Sequence, residues 1–527
     1  YTMGEDKNAM PIMRKKRLKR RLYFIAFVFA CYFVLAWNHG SSRSSSRTSD
    51  GDWMRTARFG GNGNEFVRTR VSEKRKRIEE EEEEEEENDD DDDNDGQVTS
   101  NSAKSSSSSS SRMSLNEPEF AFGGKWGPRR DQAKMNEHLA PTFGCHATTS
   151  LHSKNKDTGA DEVVVAWFGG SYEGAEDVGI WTASRDERTG SWTKPVLAAK
   201  KFRNKPYEGK NLKHNSPYNK PEPQREGGEP HWNPVLFCAG AGADDGDGAY
   251  LGACTHEIVL YFKLGWKIWF WETWEVRSRD GGKTWSEPHE TVKGDKGGRG
   301  PVKNKPIVLA DGSWLAPASL EGPQPGQKRK QWRAFADMST DRGKTWHPSS
   351  IILPSDSGYG NIQPTVWESS PGNVHMLLRS SRGRKGMWIW RSDSKDGGKT
   401  WTQSRKSKLP NNNSGLDVAY LPKSKTLVLA YNHVMNVDSR SPIRLAISKD
   451  NGENWELQVE LENEKGSVHN AGHEYSYPSC VPWPKEYGEE GVTVTYTWHR
   501  RRVAFFSASL KDLLARAKPN DQLTGVV

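Results

Sequence analysis

From about residue 116 onward, short apolar segments alternate with turns in a pattern typical of antiparallel strands. One pair of segments reads VHMLL at residues 374–378 and MWIW at residues 387–390. Side chains of a strand point alternately to the two faces of its sheet, so segments of this length and period favour strands over helices. We therefore expect residues 116–527 to form an all-β domain.

An eight-residue motif, Ser-x-Asp-x-Gly-x-Thr-Trp, recurs along this domain. Clear copies end at Trp285, Trp346, Trp401 and Trp455, the last with Asn in place of Thr, and a degenerate copy covers residues 184–192. The clear copies are 61, 55 and 54 residues apart, an interval that suits one four-stranded propeller blade per copy. The Asp should accept backbone N–H bonds in its turn, the Gly supply a positive φ, and the Trp pack between blades. Asp280 and Asp396 are therefore expected at the rim, away from the central cleft.

The octets match the Asp-box, or BNR, repeat, and the domain resembles the sialidase-like family that is built from it. Four further segments carry the resemblance: AWFGG at 166–170 followed by Glu173, HWNP at 231–234, GPVKNKP at 300–306 and EYSYP at 474–478. The resemblance implies a six-bladed β-propeller with Asp-box turns that acts on carbohydrate. Residues 200–250 stretch the interval between Trp192 and Trp285 to 93 residues, so we expect a surface insertion there.

The N-terminal region has a different composition from the propeller. Residues 14–21 read RKKRLKRR, and the sixteen residues 22–37 (LYFIAFVFACYFVLAW) carry no charge. This pattern predicts a cytosolic basic tail at 1–21 and a transmembrane signal anchor at 22–38, with a cleaved signal peptide as the alternative. Residues 39–115 contain an acidic run and a serine run and should form a disordered stem. The positive-inside rule then predicts a single-pass type II membrane protein whose propeller lies in the lumen of the secretory pathway, in the Golgi.

The charge balance favours a membrane over a nucleic acid as the partner of the basic residues. The formal net charge is +7, but much of it flanks the apolar segment, where it can contact lipid headgroups. Two of the five cysteines, Cys238 and Cys254, are close enough in sequence to form a disulfide in an oxidising compartment, and a pair of buried thiols is the other interpretation. No cofactor or metal is expected, because close spacing of metal ligands is missing.

The resemblance to sialidases directs the search for catalytic residues. Cleaving a sialoside requires a cationic clamp for the carboxylate, an acid for the leaving group, and a tyrosine paired with a glutamate as nucleophile. Tyr475 looks like the tyrosine position, with Tyr477 as its rival by register and Glu474 as its base. Arg379 is similar to one clamp arginine, and Arg500 in the last blade is the candidate for a second.

Several positions depart from the sialidase pattern. His146 stands where the first clamp arginine would be, and Gln363 stands where the partner glutamate of the nucleophile would be. The aspartate that protonates the leaving group is also replaced, so that Glu173 and Asp177 are the nearest acids. A complete arginine triad is therefore not visible in the sequence. His146 and His231 are candidates for acid or base at neutral pH.

Further polar residues on the expected inner strands complete the candidate site. Lys303 and Lys305 share one face of a strand by their spacing, which suits a carboxylate or sulfate group. His231 and Asn233 repeat that spacing. The remaining candidates for substrate binding are Asp417 and Asn432.

These residues predict a sialidase-like glycoside hydrolase of the exo-α-sialidase type that acts on acidic sugars of glycans. Two alternatives keep the fold and change the activity. In the first, a polysaccharide lyase, His and Tyr abstract a proton beside a uronate carboxylate that Lys303 or Arg379 neutralises. In the second, the propeller binds glycans without turnover, since a propeller fold does not imply one function.

Overall fold

A computed structural model of the chain describes residues 119–122, 142–200, 229–239, 252–266, 268, 271–295, 298–321, 332–355, 360–381, 387–436, 439–463 and 474–520. The predicted basic tail at 1–21, span at 22–38 and stem at 39–115 lie outside these residues, as does most of the insertion at 200–250. No helix within the described ranges is long and apolar enough to cross a membrane.

The described strands form six antiparallel sheets, which confirms the predicted six-bladed β-propeller. Strand β1 (Glu119–Phe120) belongs to blade 6, and the later strands fill the blades in chain order. Blade 1 consists of β2 (Gly144–Lys154), β3 (Asp161–Gly170), β4 (Gly179–Asp186) and β5 (Val196–Ala199). Blade 2 consists of β6 (His231–Ala239), β7 (Glu257–Leu264), β8 (Glu272–Ser278) and β9 (His289–Glu290). Blade 3 consists of β10 (Ile307–Val308), β11 (Trp314–Leu320), β12 (Arg333–Ser339) and β13 (His347–Pro348).

The second half of the ring follows the same order. Blade 4 consists of β14 (Asn361–Ser370), β15 (Asn373–Ser380), β16 (Trp388–Ser394) and β17 (Arg405–Pro410); blade 5 of β18 (Asp417–Leu421), β19 (Thr426–Asn432), β20 (Ile443–Ser448) and β21 (Leu457–Glu462); and blade 6 of β22 (Tyr475–Pro482), β23 (Gly491–Trp498) and β24 (Arg502–Ser509). A 3₁₀ helix (Lys485–Tyr487) lies between β22 and β23, and helix α1 (Leu510–Arg516) precedes β25 (Lys518–Pro519).

Two short strands tie the ring of blades together. β1 pairs with β24, with Phe120 opposite Ala504, so a strand that precedes blade 1 completes blade 6. β25 pairs with β21 and adds a fifth strand to blade 5. The first strands of the blades converge, since β2 contacts both β6 and β22, and β18 contacts both β14 and β22. Residues at the start of these first strands therefore lie near the centre of the propeller.

The Asp-box octets form the turns between the third and fourth strands of blades 2 to 5. Asp280 Oδ1 accepts hydrogen bonds from the backbone N–H groups of Lys283 and Thr284, both at 3.0 Å. Gly282 has a φ of +90°, and a Cβ atom there would lie 3.1 Å from Val164 of blade 1. The other clear octets repeat the bond to the aspartate. Because the third and fourth strands are the outer ones, the predicted rim position of Asp280 and Asp396 is confirmed.

Cys238 and Cys254, whose pairing the sequence left open, form a disulfide. The Cα atoms of Cys238 and Cys254 are 5.7 Å apart. Cys254 also pairs with blade 1, because its N–H donates to His152 O at 2.8 Å. The disulfide therefore links β6 of blade 2 to a segment that pairs with blade 1, whereas Cys145 and Cys480 are buried free thiols.

Candidate active site

Each blade contributes one residue with a left-handed backbone to the centre of the propeller. These residues lie in or just before the first strand of their blade, with φ between 42° and 79°: Ala147, Asn233, Lys303, Gln363, Asn413 and Tyr477. The pairing register shifts across four of them, which marks β-bulges in β2, β6, β14 and β22. Bulges re-aim side chains, and backbone strain of this kind clusters at functional sites. We call the four positions at these shifts, Ala147, Asn233, Gln363 and Tyr477, the bulge residues.

Arg379, at the end of β15, connects two bulge residues, Gln363 and Tyr477, with Asn413. Its Nη1 donates hydrogen bonds to Gln363 Oε1 (2.6 Å) and Tyr477 Oη (2.8 Å), and its Nε donates to Asn413 Oδ1 (3.0 Å). Arg379 is buried, and all three partners are uncharged. Its Nη2 has no hydrogen-bond partner in the part of the chain that the structure describes. A buried guanidinium without a directly bonded carboxylate is stabilised by an anion, so this position favours an acidic ligand.

A buried carboxyl group that the sequence analysis missed fixes the orientation of Gln363. Gln363 Nε2 donates to Glu321 Oε1 at 3.1 Å, so the amide oxygen of Gln363 faces Arg379. Ser319 Oγ donates to the same oxygen of Glu321 at 3.0 Å. Burial raises the pKa of Glu321, and the charge of Arg379 opposes that shift. Glu321 of blade 3 thus contacts the amide nitrogen of Gln363, whereas Arg379 contacts its amide oxygen.

Glu474 holds two further arginines next to this group. Arg440 Nη1 donates to Glu474 Oε1 at 2.6 Å, and Arg500 Nε donates to Oε2 at 2.5 Å. Burial would raise the pKa of Glu474, but the charges of Arg440 and Arg500 hold it below its usual range. Glu474 is therefore ionised at neutral pH and bound to arginines, rather than free to act as the base predicted for the neighbouring tyrosine.

Arg440, in the loop before β20, is the second residue that sequence reasoning missed. Its guanidinium carbon lies 5.5 Å from the centroid of the Tyr477 ring, and that of Arg379 lies at the same distance of 5.5 Å. Arg440 Nε and Nη2 make no hydrogen bond to any described residue. Three arginines, Arg379, Arg440 and Arg500, therefore surround Tyr477 and Glu474, whereas the sequence offered only two of them.

His146, in β2, lies against the same group. Arg440 Nη1 is 3.4 Å from His146 Nε2, and Ser476 Oγ is 3.5 Å from Nδ1. The imidazole centroid lies 4.3 Å from the centroid of the Tyr477 ring. Burial, together with the charge of Arg500, lowers the pKa of His146 well below its usual value. His146 is therefore neutral at pH 7, and because Arg440 donates to Nε2, the hydrogen-bond network assigns the proton to Nδ1.

The structure distinguishes the two candidate tyrosines of β22. Tyr475 is fully buried in the apolar cluster between blades 5 and 6, with its ring 5.0 Å from that of His499. Tyr477 reaches the arginines instead. An unbroken strand would place both tyrosines on one face, but the φ of +51° at Tyr477 interrupts the alternation. The expectation that Tyr475 faces the site is therefore wrong, and its rival by register occupies that position.

A cavity of about 350 Å³ opens beside this group. Its lining includes the buried side chains of His146 and Glu474 and the exposed side chains of Phe143, Tyr172 and Glu173. Arg500 connects the two sides, because its Nε donates to Glu474 and its Nη1 donates to Glu173. Of the two acids predicted in blade 1, Glu173 thus faces the cavity.

Asp177, the other predicted acid, organises the loop instead. Its Oδ2 accepts hydrogen bonds from Ser171 N at 2.9 Å and from Ser171 Oγ at 2.5 Å. Asp177 is not among the residues that line the cavity. We therefore infer that Asp177 maintains the conformation of the loop that carries Glu173.

Lys303 and Lys305 join blades rather than face the cavity. Lys305 Nζ donates to Asp417 Oδ1 at 3.0 Å, to Asp417 Oδ2 at 2.9 Å and to Cys480 O at 2.7 Å. Lys303 Nζ donates to three acceptors of the protein, of which Leu416 O lies at 2.9 Å. Burial lowers the pKa of Lys303 to about 7. These contacts favour a structural role for both lysines and for Asp417 over the predicted contact with substrate.

The remaining predicted residues support the site from outside the cavity. His231 is fully buried, with its ring stacked 5.2 Å from that of Phe262, and Asn233 is the bulge residue of blade 2. Asn432 Nδ2 donates to Arg440 O at 2.8 Å, so it fixes the loop that bears this arginine. Within the described ranges, no group of three or more His, Cys, Asp or Glu side chains is arranged to hold a metal ion.

Comparison with known proteins finds the same kind of fold. A family model described as a BNR repeat-like domain matches residues 161–488. The chain is similar to the structure of the Hadza microbial sialidase Hz136, at 16% identity and a TM-score of 0.50, over 70% of this chain and 66% of that one. It is also similar to a protein of unknown function from Dyadobacter fermentans, at 17% identity and a TM-score of 0.47, over 69% of this chain and 94% of that one.

A third similar structure is a mutant of the NanB sialidase from Streptococcus pneumoniae, at 11% identity and a TM-score of 0.46, over 70% of this chain and 68% of that one. At these identities the likeness concerns the fold alone. This chain spans slightly less than two thirds of the Hadza sialidase, 66% of its length. No curated protein matches the sequence.

Proposed function

Because this chain belongs to the family of BNR repeat-like domains, we propose that it is a sialidase-like glycoside hydrolase that releases a terminal acidic sugar from a glycan. One observation carries the proposal: Arg379 and Arg440 both adjoin Tyr477, with each guanidinium carbon 5.5 Å from the centroid of the tyrosine ring. A phenol oxygen beside several cations suits a substrate that bears a carboxylate next to its reacting carbon.

Arg379 and Arg440 would hold the carboxylate of the substrate. Both keep guanidinium nitrogens that have no partner among the described residues. Hydrogen bonds between a guanidinium and a carboxylate are charge-assisted and often bidentate. Glu474 holds Arg440 and Arg500 in place while leaving Arg379 to the ligand.

Hydrolysis would break the glycosidic C–O bond of the substrate at the place where Arg379, Arg440 and Tyr477 adjoin the cavity. Glu173, at the cavity, would enter the step with a proton on Oε1, the oxygen that Arg500 does not contact, and would donate that proton to the leaving oxygen. Tyr477 Oη would lie next to the anomeric carbon and offset the positive charge that develops there, helped by the N–H that Arg379 donates to it at 2.8 Å. Water would then add to the anomeric carbon and return a proton to Glu173, which releases the free acidic sugar.

A polysaccharide lyase is the second candidate, and the neutral state of His146 favours it. A lyase needs an unprotonated base beside its carboxylate clamp. The ring of His146 lies 4.3 Å from that of Tyr477, and its pKa is lowered by burial and by Arg500. His146 would remove the proton next to a uronate carboxylate, and Tyr477 would give a proton to the leaving oxygen.

The first test is a turnover assay of the full chain. Sialosides, 3-deoxy-ulosonic acid glycosides and uronate-containing polysaccharides would be supplied, and product mass and ultraviolet absorbance would be followed together. We expect release of a free, saturated acidic sugar. An unsaturated product that absorbs in the ultraviolet would show that the activity is that of a lyase and not of a hydrolase. Binding without turnover would support the non-catalytic alternative.

Two variants of one strand provide a matched control for this assay. Tyr477→Phe removes the oxygen that contacts Arg379 and should lower kcat at least about 100-fold. Tyr475→Phe makes the same chemical change inside the apolar cluster and should leave kcat within about twofold. An equal loss in both variants, or full activity of Tyr477→Phe, would contradict the proposed site.

We also propose that residues 22–38 anchor the propeller in the lumen of the secretory pathway. The basic run at residues 14–21 supports this orientation, and the disulfide between Cys238 and Cys254 suits an oxidising compartment. In sealed microsomes, added protease should remove the N-terminal tail and spare the propeller. Cleavage of the propeller in intact vesicles would reverse the proposed orientation.

A further inference from the structure

A serine, a histidine and an aspartate form a hydrogen-bonded row beside the Asp-box turn of blade 4. Ser369 Oγ is 2.8 Å from His375 Nε2, and His375 Nδ1 is 2.6 Å from Asp393 Oδ1. The three residues come from the neighbouring strands β14, β15 and β16. The order of the groups and both distances match the nucleophile, the base and the orienting acid of a Ser-His-Asp triad.

Asn451, in the Asp-box turn of blade 5, shows which nitrogen of His375 can act as the base. Trp367 Nε1, which can only donate, donates to Asn451 Oδ1 at 2.8 Å. The amide nitrogen of Asn451 therefore faces His375, with Nδ2 3.1 Å from Nε2. Nε2 is thus an acceptor, and the proton on Nδ1 is donated to Asp393. This is the tautomer in which Nε2 can take the proton of Ser369.

Asp393 is ionised and held in place next to the imidazole. Partial burial raises its pKa, but the hydrogen bond from His375 and the charge of Arg391 lower it to about 2. Arg391 Nε donates to Asp393 Oδ1 at 2.9 Å, and Arg391 Nη2 lies 3.2 Å from His375 Nδ1. Arg391 Nη1 also lies 3.3 Å from Glu453 Oε1, so two carboxylates share its positive charge. The ionised Asp393 can therefore stabilise the imidazolium that forms when His375 takes a proton.

Ser369 lies at an irregularity of its strand. The pairing register of β14 and β15 shifts between Glu368 and Ser370, and Ser369 has no residue opposite it in the pairing. Irregularities of this kind re-aim a side chain and are frequent next to active sites. Ser369 is partly exposed, and its Oγ also lies 3.5 Å from the carbonyl oxygen of Asn373. The hydroxyl group is therefore within reach of a ligand at the surface.

Asn451 also offers a donor for the oxyanion that an attacked ester forms. One N–H of its amide group is directed at His375 Nε2, and the other has no hydrogen-bond partner within the described ranges. Ser369 Oγ and Asn451 Nδ2 both adjoin Nε2, so the second N–H lies beside the serine. The other clear octets have Gly281, Arg342 and Gly397 at this position, none of which carries an amide side chain.

We propose that Ser369, His375 and Asp393 form a second hydrolytic site, which cleaves small acyl esters such as acetate esters. The site is separate from the central arginines, since Arg379 lies four residues beyond His375 on β15, about 13 Å along the strand. A small acyl group suits the site because polar side chains, among them Asn451, border the serine. This activity goes beyond the proposed glycoside hydrolase and does not depend on it.

The reaction follows from the positions of the three groups. Ser369 Oγ attacks the carbonyl carbon of the ester while its proton passes to His375 Nε2, and Asn451 stabilises the oxyanion. The carbon–oxygen bond to the alcohol then breaks, and the alcohol leaves with the proton from His375. Water cleaves the acyl-serine in the same way, with His375 as the base. This step releases the carboxylic acid and restores Ser369.

The test treats the full chain with a fluorophosphonate probe and, separately, with p-nitrophenyl acetate. An activated serine displaces fluoride from the probe, and mass spectrometry of peptides identifies the serine that carries the adduct. We expect the adduct on Ser369. We also expect the release of p-nitrophenol to fall at least about 100-fold in Ser369→Ala and in His375→Gln. Ser370→Ala removes the hydroxyl group of the next residue and should retain both the adduct and the rate.

The outcomes separate this site from the central one. An adduct on Ser369, with turnover lost in Ser369→Ala and retained in Ser370→Ala, supports the second site. An unaltered chain without an adduct on Ser369 overturns it, and this measurement does not require any variant to fold. Full turnover in Ser369→Ala, or equal loss in Ser370→Ala, also overturns it. Tyr477→Phe, which alters the central site, should leave the adduct and the ester hydrolysis unchanged.

Discussion

Arg379 Nη1 donates a hydrogen bond to Tyr477 Oη at 2.8 Å and so joins the second strand of blade 4 to the first strand of blade 6. The same nitrogen donates to Gln363 Oε1 at 2.6 Å. One cation therefore sets the positions of a phenol and an amide from different blades.

Replacement of Arg379 should damage binding and turnover together. Arg379→Met removes the donor to Tyr477 and the proposed partner of the substrate carboxylate, and we expect kcat/KM to fall on the order of 100-fold or more. Arg379→Lys keeps the charge but loses the planar guanidinium group, so its kcat/KM should lie between that of the unaltered chain and that of Arg379→Met. Arg405→Met, at an exposed ion pair with Glu453 on the rim, is the control and should retain full activity. Steady-state kinetics on the best acidic substrate measures this, and equal rates for all variants would remove Arg379 from the site.

Glu321 should act on ligand binding through Gln363. Glu321→Leu removes the acceptor of Gln363 Nε2, which is 3.1 Å away, so the amide is free to turn its N–H groups towards Arg379. We expect the Kd of an acidic sugar to rise about tenfold, the loss of roughly one hydrogen bond to a charged group. Glu321→Gln keeps an acceptor oxygen and should bind nearly as well as the unaltered chain. Calorimetry with all three proteins measures this, and a Glu321→Leu variant with unchanged Kd would contradict it.

Lys305 should matter for stability more than for the ligand. Lys305→Met leaves the buried Asp417 carboxylate without its cation, and breaking a buried ion pair in this way costs about 3 kcal/mol or more. Urea unfolding of the variant measures that loss. Lys395→Met, at an exposed rim position, is the control and should change stability little. A stable Lys305→Met protein with weakened ligand binding would restore the substrate role that the sequence suggested.

The folded domain should lose stability in mild acid because of His152. Burial lowers the pKa of His152 to about 3, while the unfolded chain binds the proton near pH 6.5. The unfolded state therefore gains a proton that the folded state does not, and stability falls as pH drops below 6.5 towards 3. Between pH 7 and pH 4 the loss from this group is about 3 kcal/mol. Urea unfolding across this range measures it, and His152→Gln should reduce the slope and leave the part contributed by the other buried histidines, His146 and His433, whose pKa values burial also lowers. The same slope in the variant would rule out this cause.

An Asp-box aspartate should affect stability without affecting activity. In blade 4, Asp396 Oδ1 accepts from Lys399 N at 3.1 Å and from Thr400 N at 2.9 Å. Partial burial raises the pKa of Asp396, but the hydrogen bonds from Thr400 and Ser394 lower it to about 2. Asp396→Ala should lower the free energy of unfolding by about 1–2 kcal/mol and leave kcat/KM unchanged. Thermal unfolding and kinetics on the same sample measure both, and a large loss of activity would give the rim a functional role.

The fold was readable from the sequence because its defining contacts are local. In blade 3, Ser339, Asp341 and Thr345 bond to one another within a single turn, so the residue types and their spacing reveal the structure directly. The repeat of this turn then predicts the blades. The sequence likewise marked the region of blade 6 that contains Glu474 and Tyr477, through the segment EYSYP.

The site required the tertiary structure because its residues come from different blades. His146 and Tyr477 are 331 positions apart in the sequence, yet their rings lie 4.3 Å apart. Nothing in the local sequence of Arg440 or Glu321 marks them, since each acts through partners from other strands. Neither residue belongs to a repeat, and both were missed for that reason.

The sequence by itself determined the class of fold, the Asp-box turns at the rim and the presence of a cationic group in the last blades. The tertiary structure decided which side chains face one another. The bulge at Tyr477, with its φ of +51°, brings this tyrosine to the arginines and leaves Tyr475 in the apolar cluster. A one-residue irregularity in a strand reverses the faces of its side chains, and the energy that maintains it comes from contacts between blades that no single segment contains.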